Sequence, residues 1–142
     1  MAGGWLIDTS ALSRIPRLPD DTVWSDRILR GVVKVCTATR LEIGVSARSV
    51  ESWRTMASTY PVFDLVPVLS TPAAEQRAVE VQKMLAERGH HRAASVVDVI
   101  TAATAEVERL IVLHVDKDFE LIAGVTGQAV ERLPAGDRVG GW

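Results

Sequence analysis

Two aspartates close short apolar runs in this chain: Asp8 follows Trp5-Leu6-Ile7, and Asp116 follows Leu110-Ile111-Val112-Leu113-His114-Val115. Two further acids have apolar neighbours. Glu42 stands in Leu41-Glu42-Ile43, and Asp98 in Val96-Val97-Asp98-Val99-Ile100, with no charged residue within five positions on either side. Asp118 follows two residues after Asp116. Each has an ordinary explanation alone: Asp8, Asp116 and Asp118 are good helix caps, and Glu42 reads as a solvated helix residue. Asp98 is harder to explain so, because an unpaired carboxylate among aliphatics is costly. Gathered at one place, these acids repel one another unless cations lie between them. Mg²⁺ or Mn²⁺, hard ions that prefer carboxylate oxygens, are the natural counter-charge.

The elements that must position them alternate. Residues 5–7 read as a buried strand, followed by a helix over 8–12 that Asp8 or Ser10 can cap. Asp20-Asp21 opens a helix through Trp24, Ile28 and Leu29 that stops at Gly31. Residues 32–36 are strand-like, and Thr37 or Thr39 can cap the next helix, which carries Glu42. Another helix spans 50–56, and 62–69 is a strand candidate that Pro67 places at an edge. Thr71-Pro72 starts a helix with a stripe at Ala74, Ala78, Val81 and Leu85, ended by Gly89. A helix over 93–108 puts Asp98 on a face with Thr101, Ala102 and Ala105, small enough to let another segment approach. A strand over 110–115, a short helix stopping at Gly124 and a strand over 129–133 complete the order. This predicts a three-layer α/β/α sandwich with a mainly parallel central sheet, in which ligands gather beyond the C-terminal strand ends. Asp8 and Asp116 end strands there.

The 142 residues suffice for one core, predicting a single domain over 1–134 and a flexible Gly-rich tail over 135–142. No apolar run approaches the roughly 20 residues of a membrane span, and the first residues lack the pattern of a secretory signal. Cys36 is the only cysteine, which excludes an internal disulfide and a zinc site needing two thiolates; a reduced, cytoplasmic protein is expected. The net charge of −2 speaks against a nucleic-acid partner, but 13 arginines against 3 lysines favour phosphate contact, so charge leaves the partner open.

Four landmarks carry a resemblance over residues 5–133: Leu6-Ile7-Asp8-Thr9-Ser10-Ala11-Leu12, Thr39-Arg40-Leu41-Glu42-Ile43, Val97-Asp98-Val99-Ile100-Thr101-Ala102-Ala103-Thr104-Ala105 and Leu113-His114-Val115-Asp116-Lys117-Asp118-Phe119. In order and at these separations, the chain resembles the PIN-domain family, and more narrowly the VapC-type toxin ribonucleases of bacterial toxin–antitoxin pairs. The resemblance implies a PIN-like fold and an endoribonuclease. Asp8, Glu42, Asp98 and Asp116 would be its catalytic, metal-holding acids, and Asp118 a fifth ligand. A metal-activated water would attack the phosphodiester, and a second ion roughly 4 Å away could stabilise the leaving oxygen. Thr9 and Ser10 could orient water or phosphate, and Arg14, Arg17 and Arg40 could hold RNA backbone. A homodimer anchored by Trp24 and Trp53 and a small VapB-like antitoxin complete the implied partners. The antitoxin would lie on apolar surface near Leu12 and Ile15 and insert an arginine among the acids.

Two other readings compete. Asp8 followed by Thr9-Ser10 could be the nucleophile of a haloacid-dehalogenase-like phosphohydrolase, but Ser10 stands where that class needs an acid. A non-catalytic RNA- or protein-binding module would have no use for clustered carboxylates. His90-His91 lacks partners at ligand spacing, and Cys36 and His114 read as core residues.

Overall fold

The apolar runs become five short strands: β1 (Trp5–Ile7), β2 (Val33–Cys36), β3 (Val66–Val68), β4 (Ile111–His114) and β5 (Val130–Arg132). They belong to a computed structural model that describes residues 3–18, 22–59 and 61–134. The expected tail over 135–142 and the helix start at Asp20-Asp21 lie outside the described residues. The strands form one sheet in the order β3-β2-β1-β4-β5, every pair parallel. Ile7 is in register with Leu113, so the chain leaves β1 and β4 side by side at the same edge.

The helices are α1 (Thr9–Leu12), α2 (Val23–Leu29), α3 (Thr37–Val45), α4 (Val50–Ser58), α5 (Pro72–Glu87), α6 (Val96–Glu108) and α7 (Asp118–Thr126). Successive strand residues point to opposite faces, and each face has its own core. Leu6, Cys36 and Val112 pack with α5, α6 and α7; Ile7, Val33, Val35 and Leu113 pack with α1 and α2. The result is the expected three-layer sandwich. Among the described residues, no helix is long and apolar enough to cross a membrane.

Several local expectations need correction. Of the strand expected over 62–69, only Val66–Val68 forms; Val62–Asp64 is a 3-10 turn, consistent with Pro61 setting its entry. The α3 N-cap is Cys36 rather than a threonine. Thr39 is fully buried, 3.5 Å from the Cys36 sulfur. The helix carrying Asp98 starts at Val96, not residue 93, because Ser95 caps it. The last helix runs past Gly124 to Thr126 and ends on Gly127, which is left-handed (φ 76°).

Trp24 is no interface anchor: it is 4% exposed and meets Trp5 edge to face at 5.3 Å, with the Arg27 guanidinium over both rings. Ile15 is likewise sealed in the core, whereas Trp53 is 52% exposed.

Gly4 ties β1 to both neighbours. Its carbonyl accepts from the Ile111 N–H, and the next residue, Trp5, donates to the Val32 carbonyl. Its φ is +126°, and a Cβ there would lie 2.1 Å from the Val32 oxygen. Gly4→Ala is expected to cost about 3 kcal/mol, read as a lower urea midpoint with an unchanged m-value.

Candidate metal centre

Asp8 leaves β1 as the N-cap of α1, its Oδ1 accepting the Ala11 N–H at 3.1 Å. Its own N–H donates to the Leu113 carbonyl. The Ser10 hydroxyl donates to the Asp8 carboxylate, 2.8 Å from both oxygens, and accepts the Val115 N–H at 3.1 Å. Ser10 therefore fastens the Asp8 side chain to the strand that delivers Asp116.

Asp116 forms the turn into α7, where its Oδ1 accepts the Asp118 N–H at 3.0 Å. Fully buried Phe119, packed against His114, anchors this turn from below. Burial lowers the His114 pKa and so favours its neutral form.

Asp98 arrives from the helical layer. Buried Thr101, Ala102 and Ala105 bring α6 close to the sheet, as their small size predicts. Asp98 is not unpartnered, however. It forms a capping box with Ser95, accepting the Ser95 N–H at 3.2 Å while its own N–H donates to Ser95 Oγ at 3.1 Å. The Ser95-Val96-Val97-Asp98 spacing carries that signal, which an apolar-neighbour argument overlooks.

Asp98, Asp116 and Asp118 each bring a carboxylate oxygen within 4.8 Å of the others. Burial, with the charges of Asp116 and Asp8 alongside, pushes Asp98 up to about 6 against the hydrogen bonds from Ser95. Burial also raises Asp8, against the hydrogen bonds from Ser10 and Ala11, and Asp116 adds to the rise. Asp118 is raised by burial and by Asp116. Such half-buried hard oxygen donors, short of positive charge, fit a divalent cation.

Glu42 stands apart, exposed on α3 and accepting a hydrogen bond from the Thr9 hydroxyl. It is at the rim rather than in the three-aspartate group. Thr9 and Ser10 thus both have carboxylate partners. Arg14, Arg17 and Arg40 are exposed and take part in none of the ion pairs among the described residues.

The PIN-domain family model matches residues 5–125, and the chain belongs to that family. This displaces the dehalogenase alternative. Ribonuclease VapC2 of Mycobacterium tuberculosis is 51% identical over 129 residues, covering 91% of this chain and 92% of the relative. Ribonuclease VapC51 of the same species is 37% identical over 137 residues, covering 96% and 98%. Within the PIN class, the chain is a member of the VapC group. The fold agrees with DNA-bound VapBC from Salmonella typhimurium (TM-score 0.72, 19% identity, 91% and 97% covered). It agrees also with VapBC-5 from M. tuberculosis (TM-score 0.61, 22% identity, 92% and 98% covered).

The raised carboxylates set a pH dependence. A carboxyl whose folded pKa lies above its unfolded value binds its proton more tightly when folded. Its stabilising effect is complete below about pH 4 and is lost as pH rises through about 6. In metal-free buffer, unfolding free energy should fall by on the order of 2 kcal/mol over that window, and the fall should be smaller in Asp98→Asn. Adding Mg²⁺ should raise the melting temperature at pH 7 and scarcely at pH 4.

Proposed function

We propose that this protein is the toxin of a toxin–antitoxin pair and cuts RNA as a Mg²⁺- or Mn²⁺-dependent endoribonuclease in the cytoplasm. The observation that carries the reading is the convergence of the Asp98, Asp116 and Asp118 carboxylates beside buried Asp8, with the pKa values of Asp8, Asp98 and Asp118 raised. The relatives named ribonucleases and the fold neighbours from toxin–antitoxin complexes support it.

Asp8, Asp98 and Asp116 would hold the metal, with Asp118 as a further ligand and Glu42 joining from the rim. When bound, a divalent ion supplies an acidified water and positive charge at the phosphodiester. Asp8 is clamped by Ser10 and the Ala11 N–H; Ser10 positions it rather than touching RNA. Thr9 holds Glu42 toward the same edge. Arg14 and Arg40, exposed on the α1–α3 side, take backbone phosphates. A second copy pairs through exposed apolar helix surface that includes Trp53.

Inhibition has a matching surface. A groove of about 410 Å³ lies between α1 and α4, lined by Leu12, Pro16, Ile43, Met56 and Val62, and it reaches Thr9 and Glu42 at the acidic rim. An apolar trough running into a negative pocket suits an amphipathic antitoxin helix followed by an arginine. Leu12 lines the groove, although it is as deeply buried as Ile15, which does not.

Asp8→Ala and Asp98→Ala should each reduce cleavage of bulk cellular RNA at least about 100-fold with the fold intact, and Asp118→Ala about tenfold. Full activity in a strongly destabilised variant would make these acids structural. Affinity for the antitoxin encoded beside this gene should fall in Asp98→Asn and as Mg²⁺ rises. If neither changes it, the antitoxin covers the groove without entering the acids.

A further inference from the structure

We infer that the exposed turn joining α5 to α6, residues 88–92, is a second binding surface for the RNA backbone, on the opposite face of the sheet from Arg14 and Arg40. The inference rests on the ribonuclease reading and adds a substrate surface to it. The turn reads Arg88-Gly89-His90-His91-Arg92. With Lys83 shortly before it, three cationic residues face one acid, Glu87, between positions 83 and 95 of a chain whose net charge is −2. Lys83, Arg88 and Arg92 are exposed, and none enters an ion pair among the described residues. Two other arginines are consumed: Arg77 on α5 pairs with Glu80 and Glu106, and Arg132 on β5 with Glu120.

The backbone of this turn is pinned. Gly89 takes φ +73° and donates to the Ala86 carbonyl, His90 donates to Leu85 at 2.8 Å, and Ala93 donates to His90. Ala94 plugs into the core. Arg88 also reaches the Gly124 carbonyl at 3.5 Å, which gives it a packing role. The side chains of Arg92, His90 and His91 make no hydrogen bond or ion pair among the described residues. A rigid turn presenting unspent polar side chains is preorganised for a ligand.

Position supplies the ligand class. Arg92 is three residues before Ser95, a span of at most about 11 Å, and the Ser95 N–H touches the Asp98 carboxylate. A polyanion drawn to the metal edge meets carboxylates, so cations flanking that edge must offset the repulsion. The Arg92 guanidinium matches a phosphate bidentately, and exposed imidazoles stack on an unpaired base or donate to phosphate. RNA lying across the strand ends would thus be held from both outer layers.

The test compares Arg92→Glu, Arg92→Lys and the pair His90→Ala/His91→Ala with wild type. Cleavage of bulk transfer RNA gives KM and kcat, and binding of labelled bulk transfer RNA in EDTA gives affinity across a salt series. Arg92→Glu should raise KM and Kd about tenfold at low salt with kcat within twofold, and its salt slope should be shallower by about 0.7. Arg92→Lys should restore most of the loss, and the histidine pair should weaken binding about threefold. Melting temperatures report folding; if Arg92→Glu fails to fold, Arg92→Gln replaces it. Unchanged Kd and salt slope in the folded variant overturn the inference, as does a loss confined to antitoxin affinity. Cleavage that survives Asp98→Ala would instead overturn the ribonuclease reading.

Discussion

Mutual repulsion among carboxylates at one edge of a parallel sheet is the constraint on which this structure turns. The sheet order places β1 next to β4, so Asp8 and Asp116 leave adjacent strand ends. Small buried residues let α6 add Asp98 from the layer above, and the Asp116 turn adds Asp118. The carboxyls of Asp8, Asp98 and Asp118 are raised first by burial, and the neighbouring carboxylates add to the rise. A centre that disfavours its own charge gives a cation a large differential affinity for the folded chain, so metal binding and stability are linked.

The two outer layers serve this edge differently. On the α1–α4 side, an apolar trough runs up to Glu42 and Thr9. On the α5–α7 side, an exposed cationic turn comes just before Ser95, the cap partner of Asp98. Overall charge conceals this arrangement. A value of −2 describes neither the concentrated acids nor the exposed arginines around them, and local fields rather than the sum decide what approaches.

Much of this was legible in the sequence because burial on both sheet faces leaves continuous apolar runs, and alternation of strand and helix implies parallel pairing. The runs ending at Asp8 and Asp116 therefore located the strand ends. Residues 62–69 misled because a β-branched, proline-bearing stretch looks alike as an edge strand and as a 3-10 turn. Trp24 misled because amphipathic spacing names a buried face without naming what covers it: Trp5, distant in the chain, does so, together with Arg27 one turn along the same helix. Glu42 shows a limit of another kind. Its place on α3 was readable, but its rim position depends on a long-range bond from Thr9.

The readings of these acids as helix caps and as metal ligands are not rivals. Asp8 caps α1, Asp98 closes a capping box on α6, and Asp116 holds the first N–H of α7. Each bond takes a backbone donor that a helix start leaves unsatisfied, and in return fixes the direction of a carboxylate. At Asp8 and Asp98 the caps also lower the pKa, opposing the burial that raises it. The caps thus offset part of the cost of burial before any ion arrives, while the remaining desolvation and like charge are left. This explains how a fold can carry such a cluster without metal, and why the ordinary reading of each acid, correct in itself, did not exclude the functional one.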